Sequence, residues 1–384
     1  MQIPYRHADE MPPDIDPATG LASSTIVRPL QPVPGMKPSP IAPAAPAKPA
    51  TRAPPHIALI LPTLSPTLGA LAEAVRLGFT TAAQVAGADA PTVIASAVEN
   101  EGAPMLEACR QAQAAGAFLV VGGLTRDGAQ ALARSDCVRQ PVLALNEPFG
   151  GPANAAITEA DLPANLFHSS LSVEHEARQV ALLAVNDGRR SAIVIVQPSP
   201  LARRVQEAFE REWTRAGGEL RRMPFSGAAE EAPLLRDRLA SLRADMVFVA
   251  LGPDETRAVR PYVSAMLPMY ATSFSVNPRA DPIVNVDLQG IRYMEMPWFV
   301  QPDHPAVMAY PQKSDWSVDQ ERLYAFGIDA FRMALAMVKG DAGRIALDGV
   351  TGRIGLDSGA RAFVRALVPA EVDGGRVVPG KTGP

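Results

Sequence analysis

The stretch His56 to Phe79, HIALILPTLSPTLGALAEAVRLGF, decides how the rest of the chain is read. It opens with an apolar run, Ile57–Leu61, of the length of a buried strand. Pro62, Thr63, Ser65 and Pro66 make a loop. Leu68, Leu71, Ala72, Val75, Leu77 and Phe79 then follow at helical spacing. A short apolar strand, a tight loop and an amphipathic helix form the first unit of a parallel α/β sheet. In such sheets the loop at the carboxyl end of the strand faces the ligand crevice.

The same grammar recurs downstream. In the first lobe, helices are expected at Thr67–Ala86, Pro104–Ala115 and near Ala129–Arg134. Strands are expected at Thr92–Ala95, Phe118–Val121 and Val142–Leu145. After a Gly-, Pro- and Asn-rich excursion, Leu166–Ser169 reads as a crossing strand. A second lobe repeats the alternation from helix Val173–Asn186 to strand Met269–Thr272, with Asp254 opening a helix that runs to Met266. Gly290–Val300 is another crossing strand, and Val318–Lys339 is a long helix with a core-facing stripe. Residues 347–370 suggest a hairpin and a short amphipathic helix. Residues 1–55 are rich in proline and alanine, with too little apolar bulk to offset ordering entropy, and read as a disordered tether. The folded part is expected at 56–370. Lobe 1 takes about 56–168 and part of 300–340, lobe 2 about 170–290 and part of 341–370, and 371–384 is a frayed tail.

Composition narrows the function. At 384 residues, 47% hydrophobic and 20% charged, the chain is an ordinary folded protein. Its net charge of −4 carries no polybasic signature, which argues against nucleic acid or an anionic membrane as partner. No apolar run reaches the roughly 18 residues of a membrane-spanning helix. The N-terminus MQIPYRHADEMPPDIDP lacks a basic start, an apolar core and a lipid-bearing cysteine. As written it is not a signal peptide, so the chain is cytoplasmic unless its true start lies upstream. Cys109 and Cys137 fit no zinc spacing. With Cys109 near its helix start and Cys137 near the opposite end of the sheet, two unpaired thiols are expected.

Catalytic motifs are lacking. GRVVPGKT, Gly375 to Thr382, matches a phosphate-binding loop, but only two residues follow, so the helix that must hold the phosphate cannot form. His7, His56, His168, His175 and His304 make no zinc pattern, and no nucleophile elbow occurs. We therefore expect no enzyme, no catalytic residues, no metal and no cofactor. Residues expected to face the cleft are Thr125, Arg126 and Asn146 from the first lobe, and Ser199, Asp254 and Ser273 from the second. Thr125 either offers its hydroxyl to a ligand carboxylate or caps the helix that follows.

The two-lobed pattern resembles the type I periplasmic binding proteins, the class of branched-chain amino acid receptors. That class implies two lobes, each a mostly parallel sheet flanked by helices, with a small polar ligand in the cleft. In it the loop matching GGLTR, Gly122 to Arg126, supplies hydroxyls and amides to a ligand carboxylate. Several stretches are more specific: GAFLVVGGLTRDGAQAL, PVLALNEP, SVEHEARQVALLAVNDGRRSAIVI, LQGIRYMEMPWFV, and RLYAFGIDAFRMA with DGVTGRIGLD. Together they resemble the C-terminal domain of the penicillin-binding protein activator lipoproteins, the LpoA or LppC family, from about residue 56 to 370. That resemblance implies a regulator docked on a bifunctional penicillin-binding protein in cell-wall synthesis, in the periplasm and anchored to the outer membrane. The rival expectation is a solute receptor of an amino-acid-type transporter.

Overall fold

The computed structural model describes residues 54–149, 157–313, 315–340 and 345–381. The expected tether falls outside these residues apart from Pro54 and Pro55. The chain begins with β1 (His56–Leu61), α1 (Gly69–Ala86), β2 (Thr92–Ala97), α2 (Ala103–Ala115), β3 (Ala117–Gly122), α3 (Arg126–Ala133), β4 (Val142–Ala144) and β5 (Leu166–His168). The second lobe follows with α4 (Val173–Asn186), β6 (Ser191–Val196), α5 (Pro200–Arg215), β7 (Glu219–Pro224), α6 (Ala232–Ser241), β8 (Met246–Ala250), α7 (Pro253–Val259) and β9 (Met269–Tyr270). Next come the one-turn helix α8 (Pro282–Asn285), β10 (Ile291–Glu295), and the short α9 (Pro297–Val300) and α10 (Pro305–Met308). The long α11 (Val318–Val338), β11 (Ala346–Gly349), β12 (Gly352–Asp357), β13 (Ala362–Ala366), β14 (Val368–Asp373) and β15 (Arg376–Pro379) complete the chain.

Two sheets result. In the first, β2, β1, β3, β4, β5 and β13 run parallel in that order, and β12 and β11 continue it antiparallel. In the second, β7, β6, β8, β9 and β10 are parallel, and β14 and β15 are added antiparallel. All six residues of β1 are buried, as befits a parallel strand covered by helices on both faces. The two α/β lobes expected from the alternation are therefore present.

Helix α11 leaves the second lobe and packs on α1 of the first. Two glycines face each other where they cross. A Cβ on Gly327 would stand 2.2 Å from the Val75 carbonyl oxygen, and one on Gly78 would stand 2.0 Å from that of Tyr324. Only bare backbones approach this closely. The approach also brings Phe331 edge-on to Phe79, with ring centroids 5.3 Å apart. The lobes are joined three times: by 169–172 between β5 and α4, by 296–317 between β10 and α11, and by residue 367 between β13 and β14.

Several expectations are corrected. Part of 341–370 is expected in the second lobe, and that part is residues 368–370 of β14, while β11, β12 and β13 extend the first sheet. α11 lies on the first lobe, and β13 pairs with β12 along its whole length and with β5 at Ala362. The short helix expected after the hairpin is strand β13. Its burial alternates, with Phe363 and Arg365 inside and Val364 and Ala366 outside, a period of two. The tail expected to fray from 371 instead completes β14 and forms β15, a hairpin in the second sheet. Helix α7 ends at Val259, short of Met266.

The cysteines are also corrected: Cys109 and Cys137 form a disulfide, with Cα atoms 6.2 Å apart. Cys109 lies midway along α2, the seventh of its 13 residues, and not near the helix start. Cys137 then sits in a 3-10 turn under α2 (Asp136–Arg139), where Gln113 Nε2 donates to its carbonyl oxygen at 2.6 Å.

Candidate functional site

The loop after β3 is built to hold an anion, and the chain supplies that anion itself. Glu101 Oε1 accepts from Leu124 N–H at 2.6 Å. Its Oε2 accepts from Thr125 N–H at 2.7 Å and from the Thr125 hydroxyl at 2.6 Å. The same hydroxyl accepts from Gly128 N–H at 3.0 Å and so caps α3. Gly128 is required by the contact, because a Cβ there would stand 2.4 Å from Glu101 Oε2. Burial pushes the Glu101 carboxyl above its ordinary range, and the donors from Thr125 and Leu124 oppose that push. Thr125 thus caps α3, and its hydroxyl donates to a carboxylate of the chain itself, that of Glu101.

The other expected residues are likewise engaged within the chain. Asn146 Nδ2 donates to the Leu124 carbonyl at 2.9 Å and its Oδ1 accepts from Glu147 N–H at 2.9 Å, which braces the same loop. Arg126 lies 3.7 Å from Glu174 of the second lobe, whose other partner is Arg204 at 2.5 Å. Ser199 caps α5 by accepting from Ala202 N–H at 3.1 Å. Asp254 points to solvent, 88% exposed, beside Arg257. Ser273 donates its amide and its hydroxyl to Glu176, the hydroxyl at 2.7 Å. Arg126 and Asn146 share a cavity of about 310 Å³ with Glu174 and Arg204. Ser273 borders a different one, and Thr125, Ser199 and Asp254 border neither. The six do not form one constellation.

The larger cavity, about 510 Å³, lies where the crossing segments meet α4 and α11. Its apolar wall includes Leu71, Leu171, Leu201, Phe274 and Leu323. Arg322 of α11 makes a bidentate pair with Glu295 at the end of β10, both contacts 2.7 Å, tying one lobe to the other. Burial works against the Arg322 charge, but Glu295 more than offsets it and the guanidinium is held above its ordinary range. Glu176 is a second buried carboxylate, with no ion-pair partner among the described residues. Burial first, and the Glu295 charge second, push it up to about 7, against the hydrogen bonds from Ser273 and the field of Arg322. Arg365 is the converse, a buried guanidinium with no ion-pair partner among the described residues. It donates to Ser169 Oγ at 3.0 Å and to the Ser170 carbonyl, and lies 5.1 Å over the Phe326 ring. Burial lowers it to about 10.

None of these four was among the sequence candidates. One signal was present: Glu176, Val180 and Leu183 lie at i, i+4 and i+7 on the buried face of α4, so the glutamate interrupts an apolar stripe. Among the described residues no group of His, Cys, Asp and Glu is arranged to hold a metal, and no helix is long and apolar enough to cross a membrane.

The family described as "LppC putative lipoprotein" matches residues 50–231 and 235–367. Penicillin-binding protein activator LpoA of Pantoea ananatis is 28% identical over 304 residues, covering 65% of this chain and 42% of the relative. Its counterpart in Escherichia coli is 25% identical over 275 residues, 60% of this chain and 39% of the relative. This chain therefore spans less than half the length of the curated relatives it matches. Among solved structures, a "putative branched-chain amino acid ABC transporter" from Chromobacterium violaceum is 36% identical, with TM-score 0.70, covering 83% of this chain and all of that one. The LpoA C-domain of Haemophilus influenzae, described as a regulator of PBP1A, is 22% identical, with TM-score 0.68, covering 85% of this chain and all of that domain. At that identity the likeness is one of fold.

Proposed function

The chain belongs to the LppC lipoprotein family, and on that premise we propose that it is a non-enzymatic activator of a bifunctional penicillin-binding protein. It docks on the synthase and favours the active conformation by binding it more tightly than the inactive one. The family's lipoprotein character and the names of the curated relatives support this reading, with the protein acting in the periplasm at the outer membrane. The Cys109–Cys137 disulfide suits that oxidising compartment. The observation that carries the choice of activator over receptor is Glu101. A receptor must leave its anion-binding loop open to solute, and here a carboxylate of the chain is seated on both amides and the hydroxyl.

A second reading, a solute receptor, draws support from the 36% identical Chromobacterium protein. The hinge cavity supports it too, since Glu176 and Arg365 leave one carboxylate and one guanidinium without ionic partners. Purified protein added to the bifunctional synthase of the same cell is expected to raise its glycan-polymerising or crosslinking rate. A panel of amino acids is expected to leave its melting temperature unchanged, whereas a ligand at about 100 times its dissociation constant would add roughly 2.7 kcal/mol. Saturable binding of one amino acid without any effect on the synthase would replace the activator with the receptor.

A further inference from the structure

On the second lobe, α6 and residues 260–267 enclose a groove of about 470 Å³. Leu239 and Val263 are buried at its floor. Met266, 91% exposed, stands on the bordering loop. Arg260 donates to the Gln289 carbonyl at 2.9 Å and so ties the groove to the turn after α8, where Ile283 (79% exposed), Val284 and Val286 also face water. Met266, Ile283, Val284 and Val286 are a third of the large apolar side chains that stand exposed among the described residues. A monomer gains nothing from such a concentration, and clusters of this kind mark contact surfaces.

The charge on the groove has one sign. Its only charged lining residues are Arg236 and Arg260. Arg236 lies 5.5 Å over the Tyr262 ring, and neither arginine has a carboxylate within ion-pairing distance among the described residues. Two copies meeting groove to groove across a two-fold axis would set these arginines against their own equivalents. A lipid surface is flat and would not fill a concave groove. We propose that the groove docks an amphipathic segment of a partner protein, one that carries acidic residues beside its apolar face. This rests on the activator reading, in which the segment belongs to the synthase.

Two synthetic amphipathic helical peptides test it on the full chain, with identical apolar faces and either glutamate or lysine on the polar face. The glutamate peptide is expected to bind saturably by fluorescence polarisation and the lysine peptide not to bind. Met266→Asp should weaken the glutamate peptide about tenfold or more, since a central apolar anchor carries much of such an interface. Arg236→Glu should reverse the preference. Both residues are surface-placed, and unchanged circular dichroism and melting temperature check the fold. Equal binding of both peptides, or of neither, overturns the proposal. So does self-association in the ultracentrifuge, or binding to anionic vesicles, that Met266→Asp abolishes. If the synthase is stimulated equally by wild type, Met266→Asp and Arg236→Glu, the groove falls and the activator reading stands. If the glutamate peptide binds as expected and no synthase responds, the groove stands and the activator reading falls.

Discussion

Replacing Glu176 by glutamine removes a buried carboxylate of the larger cavity that has no ion-pair partner among the described residues, and its consequence depends on pH. The folded protein holds this carboxyl at about 7, against 4.5 for an ordinary glutamate. The folded state therefore binds a proton that the unfolded state has released between those two values. Stability contributed by this group is full below 4.5, falls as pH rises through about 7, and is flat above. At about 1.4 kcal/mol for each tenfold change in proton affinity, the loss amounts to roughly 3 kcal/mol. Glutamine is neutral at every pH, and its amide oxygen still accepts from Ser273. Glu176→Gln should therefore match wild type near pH 5 and exceed it by about 2–3 kcal/mol at pH 8. Urea unfolding of both proteins at pH 5, 6, 7 and 8 reads this directly. The difference between them isolates Glu176, because His168 and His175, whose imidazoles burial holds low, titrate alike in both. A wild-type-minus-variant difference that stays constant from pH 5 to pH 8 would refute the argument that this carboxyl is buried in excess of its countercharge.

Glu101→Gly should strip the partners from Leu124 N–H and Thr125 N–H, cost about 1–3 kcal/mol, and open the loop to free carboxylates. Millimolar acetate should then raise the melting temperature of the variant and not of wild type; an equal response in both would show that the loop holds no anion site. Gly327→Ala drives a methyl into the Val75 carbonyl across the α1–α11 crossing, and calorimetry should show a loss of about 1–3 kcal/mol or more. An unchanged melting temperature would mean that the helices are not in backbone contact. Cys109→Ala with Cys137→Ala should cost roughly 3.5 kcal/mol, the loop-closure value for a bridge with a sequence separation of 28. In wild type, a linked peptide should disappear from the non-reducing digest once a thiol reductant is added.

The architecture was legible because it rests on local patterns. Apolar runs such as Ile57–Leu61 and Ala192–Val196 are long enough only for buried strands, and the helices between them carry their stripes in order. Where local preference and tertiary context competed, the sequence reading failed. The stretch around Phe363 satisfies a helical stripe and a strand alternation about equally, and antiparallel pairing with β12 along its whole length makes it a strand. The candidate site was less legible still. Thr125, Arg126 and Asn146 were placed correctly at the strand ends. Their partners could not be read, because Glu101 and Glu174 come from other elements.

By itself the sequence determined the α/β alternation and its two lobes, the lack of a basic or membrane-spanning signature, and the loop chemistry after β3. Periodicity, charge and turn residues act over a few neighbours and survive in one dimension. Tertiary structure alone decided that Cys109 meets Cys137, that β11, β12 and β13 join the first sheet, and that Glu101 fills the anion loop. It also decided that Arg322 finds Glu295 while Glu176 and Arg365 do not find each other. Each of these is a meeting between residues far apart in the chain, and its energy depends on how much water the surrounding packing removes.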